Sequence, residues 1–286
     1  MSAPTAGKKN QLRFSAIRDS EHPERRLTLI LISTAIVLGF VGSTIGAFTL
    51  GHLSGVPTNF SIGLFPSHPY LQIYGFVGEF VIGVAYSLLP RFKIGHVERL
   101  SLGYLTYALF TSANIVFILS PIVALGSNEL ELIASIFFVI GSSFFVYHVI
   151  SLASRRGGGF PEANPLMMVS SISLLLISFV LLSKLASLVN VGEIFSPELV
   201  LLALLGFAGS MIYAVEIRSV SLRQSDYRRK LAKLAWILQS IAVGSAFLAI
   251  ISGLRLLSYI GGLFFLATAL DVIFAIKAFE FSHPMM

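Results

Sequence analysis

The chain is dominated by eight apolar blocks, each close to the length of about 20 residues that an α-helix needs to cross a bilayer. Hydrophobic residues fill 55% of its 286 positions and charged residues only 12%, roughly half the charged share of a soluble domain. The sequence therefore predicts an all-α, polytopic transmembrane helical bundle. The eight predicted helices are Leu27–Leu50, His68–Leu89, Leu100–Leu125, Leu130–Ala153, Pro165–Val189, Pro197–Arg218, Leu231–Ser252 and Leu256–Phe279.

The ends of the chain are more polar than the blocks between them. Residues 1–26 form a basic tail, 27–279 the predicted transmembrane domain, and 280–286 a short end. The first block is too long for the core of a signal peptide, so we interpret it as a retained helix. Proline follows a polar residue at three predicted helix starts, as expected for the first turn of a helix: His68-Pro69, Asn164-Pro165 and Ser196-Pro197.

The basic residues are distributed unevenly between the two sides of the predicted bundle. Of the 20 Lys and Arg residues, 18 fall in the tail, in alternate linkers or at the C-terminal end. Lys184 and Arg255 alone fall on the other side. Because positive charge is enriched in cytoplasmic loops, we expect a multi-pass protein of the cell membrane with both termini in the cytoplasm. The net charge of +6 is then a topology signal, and no nucleic-acid partner is expected.

Several kinds of chemistry find no support in the sequence. There is no cysteine, which excludes disulfides, cysteine-ligated zinc, iron–sulfur clusters and thiolate catalysis. No P-loop, dinucleotide-binding glycine motif, HExxH pair or GxSxG elbow occurs. No catalytic residue is predicted.

Three of the six histidines are candidate cofactor ligands. His68 begins the second predicted helix on the outer side, where a neutral imidazole can ligate haem iron; alternatively it is only a helix-start residue before Pro69. His52 lies at similar depth, so the two could form a bis-histidine pair. His148 is either a ligand at a second site or a buried histidine bonded to a neighbouring helix.

Ionisable residues within the predicted helices are the other candidates, because charges in the bilayer are costly and often functional. Glu79 is expected near the middle of the second helix, facing the bundle interior, and Asp271 in the inner half of the eighth. Together they could handle protons, or each could be neutral or hydrogen-bonded to another helix. Lys184 and Arg255 could hold haem propionates or a partner's carboxylates, or could only extend to the membrane surface.

One segment carries a resemblance to a known family. Residues 68–92 read HPYLQIYGFVGEFVIGVAYSLLPRF, which resembles the second helix of haem–copper oxidase subunit I and of the related NnrS membrane proteins. In that family a histidine at the outer end of this helix ligates a low-spin haem. The resemblance implies that His68 binds haem iron and that the cofactor is a b-type haem.

A second segment points to an internal repeat. Residues 206–218 read GFAGSMIYAVEIR and look like a later helix of the NnrS type. They also repeat the Gly-Phe-x-Gly pattern of Gly75–Gly78, four helices earlier. This hints at a diverged four-plus-four repeat, in which Leu199 stands at the position equivalent to His68.

The departures from the family narrow the expected function. Its oxygen-reducing centre, with two haems and a copper ion, uses more intramembrane histidines than this chain has, so a stand-alone oxidase is excluded and at most one haem is expected. We therefore expect a membrane subunit of a respiratory electron-transfer complex, which anchors a cytochrome or other respiratory-chain partner in the lipid. The chain is similar in this respect to the hydrophobic B subunit paired with the archaeal membrane cytochrome CbsA. The alternatives are a proton-coupled small-solute transporter using Glu79 and Asp271, and a cofactor-free anchor or assembly factor.

Overall fold

The computed structural model describes residues 23–55, 64, 67–92, 96–122, 127–155, 163–186, 197–220 and 226–280. Within these ranges the chain forms helices and no strand, and eight helices are long and apolar enough to cross a membrane. The predicted all-α polytopic bundle is confirmed. The helices are α1 (Glu24–Leu53), α2 (Ser67–Tyr70, Leu71–Gly78 and Glu79–Phe92), α3 (Leu100–Leu119), α4 (Ser127–Ala153), α5 (Ala163–Leu185), α6 (Pro197–Leu201, Leu202–Gly209 and Ser210–Val220), α7 (Asp226–Ser252) and α8 (Arg255–Glu280).

The first helix begins earlier than the sequence predicted. Glu24 lies in its first turn, where it is only 3% exposed and accepts a hydrogen bond from the backbone N–H of Val97 at 2.7 Å. The predicted boundary at Leu27 followed hydropathy, and hydropathy cannot detect an acidic residue that is buried against a linker. Arg25 and Arg26, assigned to the basic tail, therefore belong to α1.

The helices pack in the same order in each half of the chain. In the first half α1 packs along α2 and α3 along α4; in the second half α5 packs along α6 and α7 along α8. The first and third helices of each half also touch, as do the second and third. The two halves join where α4 packs against α5 and where α2 meets α6.

Helices α2 and α6 share an irregularity that the sequence analysis did not anticipate. Each contains an eight-residue π-helical segment, Leu71–Gly78 in α2 and Leu202–Gly209 in α6, and each segment ends in Gly-Phe-x-Gly. π-Helical segments are rare and occur frequently at functional sites. Their matching positions, together with the shared packing order, support the predicted four-plus-four repeat.

The outside of the bundle is apolar, as expected for contact with lipid. Large side chains on the outer helices are mostly exposed, for example Phe40 of α1 at 75% and Tyr259 of α8 at 72%. An exposed apolar surface of this extent would make a soluble protein aggregate. We call the end of the bundle that holds Glu24, His96–Arg99 and Arg155 the basic face, and the end that holds His52, His68 and Arg255 the opposite face.

Candidate functional site

His68 is held against α1 by a backbone carbonyl. Its Nδ1 atom lies 2.7 Å from the carbonyl oxygen of Gly42. Because a carbonyl oxygen only accepts, Nδ1 must carry the proton and donate it. In the neutral ring Nε2 is then the unprotonated acceptor. Metal-binding histidines are typically oriented in this way, with the second ring nitrogen donating to a carbonyl or carboxylate.

The absence of a side chain at Gly46 makes room for this imidazole. A Cβ atom at Gly46 would lie 2.5 Å from Cε1 and 2.7 Å from Nδ1 of His68, well inside van der Waals contact. One turn earlier in α1, Gly42 supplies the carbonyl acceptor. The glycines of α1 therefore form the surface on which the half-buried ring of His68 rests.

The other predicted axial ligand, His52, lies farther along α1. It follows Gly46 by six residues, a rise of about 9 Å in a helix, so it is displaced from the His68 ring towards the end of α1 at Leu53. Residues 56–63, which follow this end, are outside the described ranges. The pairing of His52 with His68 stays a prediction.

A b-type haem, which the resemblance implies, fits this place in its donor chemistry. His68 offers one imidazole nitrogen at the opposite face, in an orientation fixed by Gly42 and Gly46. No group of three or more histidine and acidic residues that could hold a bare metal ion is found among the described residues. A haem brings its own equatorial ligands and takes an axial imidazole of this kind from the protein.

Arg255, one of the two cations predicted to hold haem propionates, lies on a different part of the bundle from His68. Arg255 is on α8, which packs against α7 and α6, whereas His68 packs against α1. Arg255 lines a groove of about 940 Å³ at the opposite face, together with Glu198 and Ser258. There the Ser258 hydroxyl donates to Glu198 at 2.8 Å. The side chain of Lys184 lies outside the described part of the chain.

Glu79 faces the interior of the bundle, as predicted. Its side chain is 0% exposed and points to α3. Thr111 lies 3.2 Å from Oε1 and 3.3 Å from Oε2, and the amide nitrogen of Asn114 donates to Oε1 at 3.1 Å. Among the described residues no Lys or Arg forms an ion pair with this carboxyl group. The hydrogen-bond donors that the structure describes around it are all neutral.

Asp271 occupies a different part of the bundle. It lies on α8 and is 8% exposed, and its buried Oδ2 atom has no hydrogen-bond partner among the described residues. The contacts of Glu79 are with α3, in the other half of the chain. The structure does not bring the two predicted proton-handling residues together in a direct contact.

Two polar residues of the second half were missed by the sequence analysis. Gln239 of α7 donates from Nε2 to the Ser210 hydroxyl at 2.8 Å and to the carbonyl of Leu205 at 2.7 Å. Ser210 directly follows Gly-Phe-x-Gly, as Glu79 does in the first half. The repeated motif could have indicated Ser210, but no spacing in the sequence indicated Gln239.

The surroundings of His148 match one of its two predicted roles, that of a buried histidine bonded to a neighbouring helix. It is 1% exposed, and Nδ1 lies 2.7 Å from the hydroxyl of Tyr86 on α2. Tyr86 follows His68 by eighteen residues, about 27 Å along a helix, so His148 cannot share an iron atom with His68. It is a buried histidine bonded to a neighbouring helix, and its buried Nε2 atom has no hydrogen-bond partner in the described ranges.

A polar network at the basic face fixes residues 96–99, the described part of the linker between α2 and α3. Glu24 accepts from Val97 and lies 3.4 Å from Nδ1 of His96. Arg155, just after α4, donates to Glu98 at 2.7 Å and to the carbonyl of His96 at 2.8 Å. The linker is thereby tied to both α1 and α4. We assign this network a structural role.

Comparisons with protein-family models, with curated protein sequences and with solved structures found no match to this chain.

Proposed function

We propose that the protein is a membrane subunit of a respiratory electron-transfer complex, which anchors a cytochrome partner and holds one b-type haem through His68. The observation that carries this proposal is the 2.7 Å contact between Nδ1 of His68 and the carbonyl of Gly42. This contact leaves Nε2 as the unprotonated ring nitrogen, which is the form that an axial ligand of haem iron requires. The excess of basic residues on the basic face supports a cytoplasmic position for that face, and with it a position of His68 at the outer side of the cell membrane.

In this function a bound haem would supply one-electron transfer. The residues of the chain would orient the haem and shield it. Gly42 fixes the tautomer of His68, and Gly46 fixes the plane of its ring. Gln72, one turn farther along α2, donates to the carbonyl of Gly39 at 3.1 Å and to Ser43 at 2.9 Å. These contacts hold the outer end of α2 against α1, and the apolar exterior serves to anchor the partner.

The test is an absorption spectrum of the purified protein, alone and with its native partners. We expect a Soret band that shifts on reduction and is lost in His68→Gln, a variant that can still donate to Gly42 but is a poor iron ligand. Gln72→Ala is the matched control, since it removes a contact between the same two helices and should keep the band. A band that survives in His68→Gln would reject His68 as ligand. No band in the intact complex would favour a cofactor-free anchor or assembly factor.

The paired π-helical segments favour one second candidate, a proton-coupled carrier of small solutes. Interrupted helices at corresponding positions of two repeats are typical of transporter binding sites near the membrane midplane. Glu79, at the end of the α2 segment, would carry the proton, with Asp271 as a second group. We place this candidate second because the groove between α2 and α6 is lined almost entirely by apolar residues. Proton uptake into vesicles that stops in Glu79→Gln would support it over the electron-transfer function.

A further inference from the structure

A cavity of about 330 Å³ lies between α2 and α6, beyond the π-helical segments on the side of the basic face. Apart from one residue, its lining consists of three pairs that are equivalent when Gly75 is matched with Gly206. The pairs are Phe80 with Met211, Val81 with Ile212, and Val84 with Val215. The cavity therefore lies where equivalent parts of the two halves face each other, and repeat proteins of the membrane commonly place their binding sites at such an interface.

Glu216 is the one lining residue whose equivalent in the first half does not line the cavity. That equivalent is the buried Ala85. Glu216 is half-buried. Within the part of the chain that the structure describes, no hydrogen bond or ion pair of its carboxyl group is found, and Tyr213, one turn earlier in α6, interacts with it electrostatically. A carboxyl group in apolar surroundings is stabilised by a hydrogen-bond donor. The cavity thus has apolar walls and a single acceptor at one end.

The cavity opens sideways, towards the space that lipid fills. Phe80 and Ile212 at its rim are 39% and 50% exposed, and both lie within membrane-spanning segments. A ligand can therefore enter from the bilayer. Glu216 is the last residue but one of the spanning segment Pro197–Ile217, so the polar end of the ligand would lie near the basic face and its apolar part deeper in the membrane.

We infer that this cavity binds a lipid-soluble phenol or hydroquinone. The hydroxyl group donates to Glu216, the ring packs against Phe80 and the valine pair, and the tail extends between α2 and α6 into the lipid. The volume is at the lower end of the range for small-molecule pockets, which suits one substituted ring. A plain acyl chain would fit the walls but would leave Glu216 without a donor. The choice of a hydroquinone, a mobile electron carrier, rests on the proposed function; the cavity itself does not depend on haem.

The test uses a photoreactive decyl hydroquinone with the full-length protein in detergent or in lipid vesicles. We expect labelling of peptides containing residues 80–84 and 211–216, with competition by unlabelled decyl hydroquinone. Glu216→Leu should weaken the competition at least about tenfold, since a hydrogen bond to a charged group is worth about that factor or more. Val84→Trp, which fills the cavity, should abolish the labelling.

Two variants away from the cavity are the controls. Glu129→Leu removes an exposed carboxyl group on α4, and Ile172→Trp enlarges a lipid-facing side chain on α5. Both should label as the wild type does, and thermal unfolding should show all variants folded. Labelling that is unaffected by Glu216→Leu and is displaced equally by a decyl chain without hydroxyl groups would overturn the inference in favour of an acyl-chain groove. Two outcomes separate this proposal from the proposed function. Loss of haem with intact labelling in His68→Gln leaves this site standing, whereas a wild-type protein that holds haem but is not labelled removes this site alone.

Discussion

Glu79 and Ser210 occupy equivalent positions, each directly after a π-helical segment that ends in Gly-Phe-x-Gly. Each accepts a hydrogen bond from a side-chain amide of the next helix, Asn114 at 3.1 Å in the first half and Gln239 at 2.8 Å in the second. The two halves have therefore kept one interhelical contact at the same place. Only the first half has a carboxyl group there, and only the first half has a histidine where the second has Leu199. Any cofactor or proton chemistry of this region should belong to the first half.

The contact between Glu79 and Asn114 should be measurable as a coupling energy. In a double-mutant cycle of Glu79→Ala and Asn114→Ala we expect a coupling of about 0.6–1.7 kcal/mol, the range found for interhelical hydrogen bonds in membranes. The measurement is unfolding by a denaturing detergent in mixed micelles. A control cycle pairs Glu79→Ala with Ser142→Ala, whose hydroxyl group bonds Ser178 and not Glu79. Equal couplings in the two cycles would mean that the Glu79–Asn114 contact contributes nothing specific.

The fold was largely predictable from the sequence because length and hydropathy determine where a chain can span a bilayer. The interior placement of Glu79 was predictable for the same reason, since a charge at the bilayer centre has a high free-energy cost. Hydropathy could not predict the π-helical segments, because their residues are as apolar as an α-helix would be. It also could not predict the contacts of His148 with Tyr86 or of Gln239 with Ser210, which depend on helix rotation and on which helices become neighbours.

The orientation of the bundle is tested by reporter fusions in two linkers. The 18-to-2 division of basic residues predicts that the linker between α3 and α4 is outside and that between α4 and α5 is inside. A reporter fused after Gly126 should be active outside the cell and one fused after Arg156 inside. Activity of both reporters on the same side would show that α4 does not cross the membrane.

The buried pair of Tyr86 and His148 should contribute to stability. Tyr86→Phe removes the hydroxyl group 2.7 Å from Nδ1 of His148 and leaves this buried nitrogen without that partner. We expect a loss of about 1–3 kcal/mol, the cost of an unsatisfied buried polar group, as a lower transition in thermal unfolding. Tyr259→Phe is the matched control, since Tyr259 is 72% exposed and should change stability little. If both variants unfold alike, the Tyr86–His148 hydrogen bond does not stabilise the protein.

The last prediction concerns the glycine beneath the His68 ring. Gly46→Ala introduces a Cβ atom 2.5 Å from Cε1 of His68, so the ring or α1 must move. Overpacking of this kind costs about 1–3 kcal/mol, which exceeds the gain of up to about 1 kcal/mol that alanine brings over glycine within a helix. Gly244→Ala in α7 is the matched control, because its Cβ atom would meet nothing within 4 Å and only the gain remains. The midpoint temperature of thermal unfolding should therefore fall for Gly46→Ala and stay unchanged or rise for Gly244→Ala. In a haem-loaded preparation Gly46→Ala should also alter the Soret band, whereas Gly244→Ala should not. A Gly46→Ala protein with unchanged stability would show that the His68 ring does not rest on this glycine.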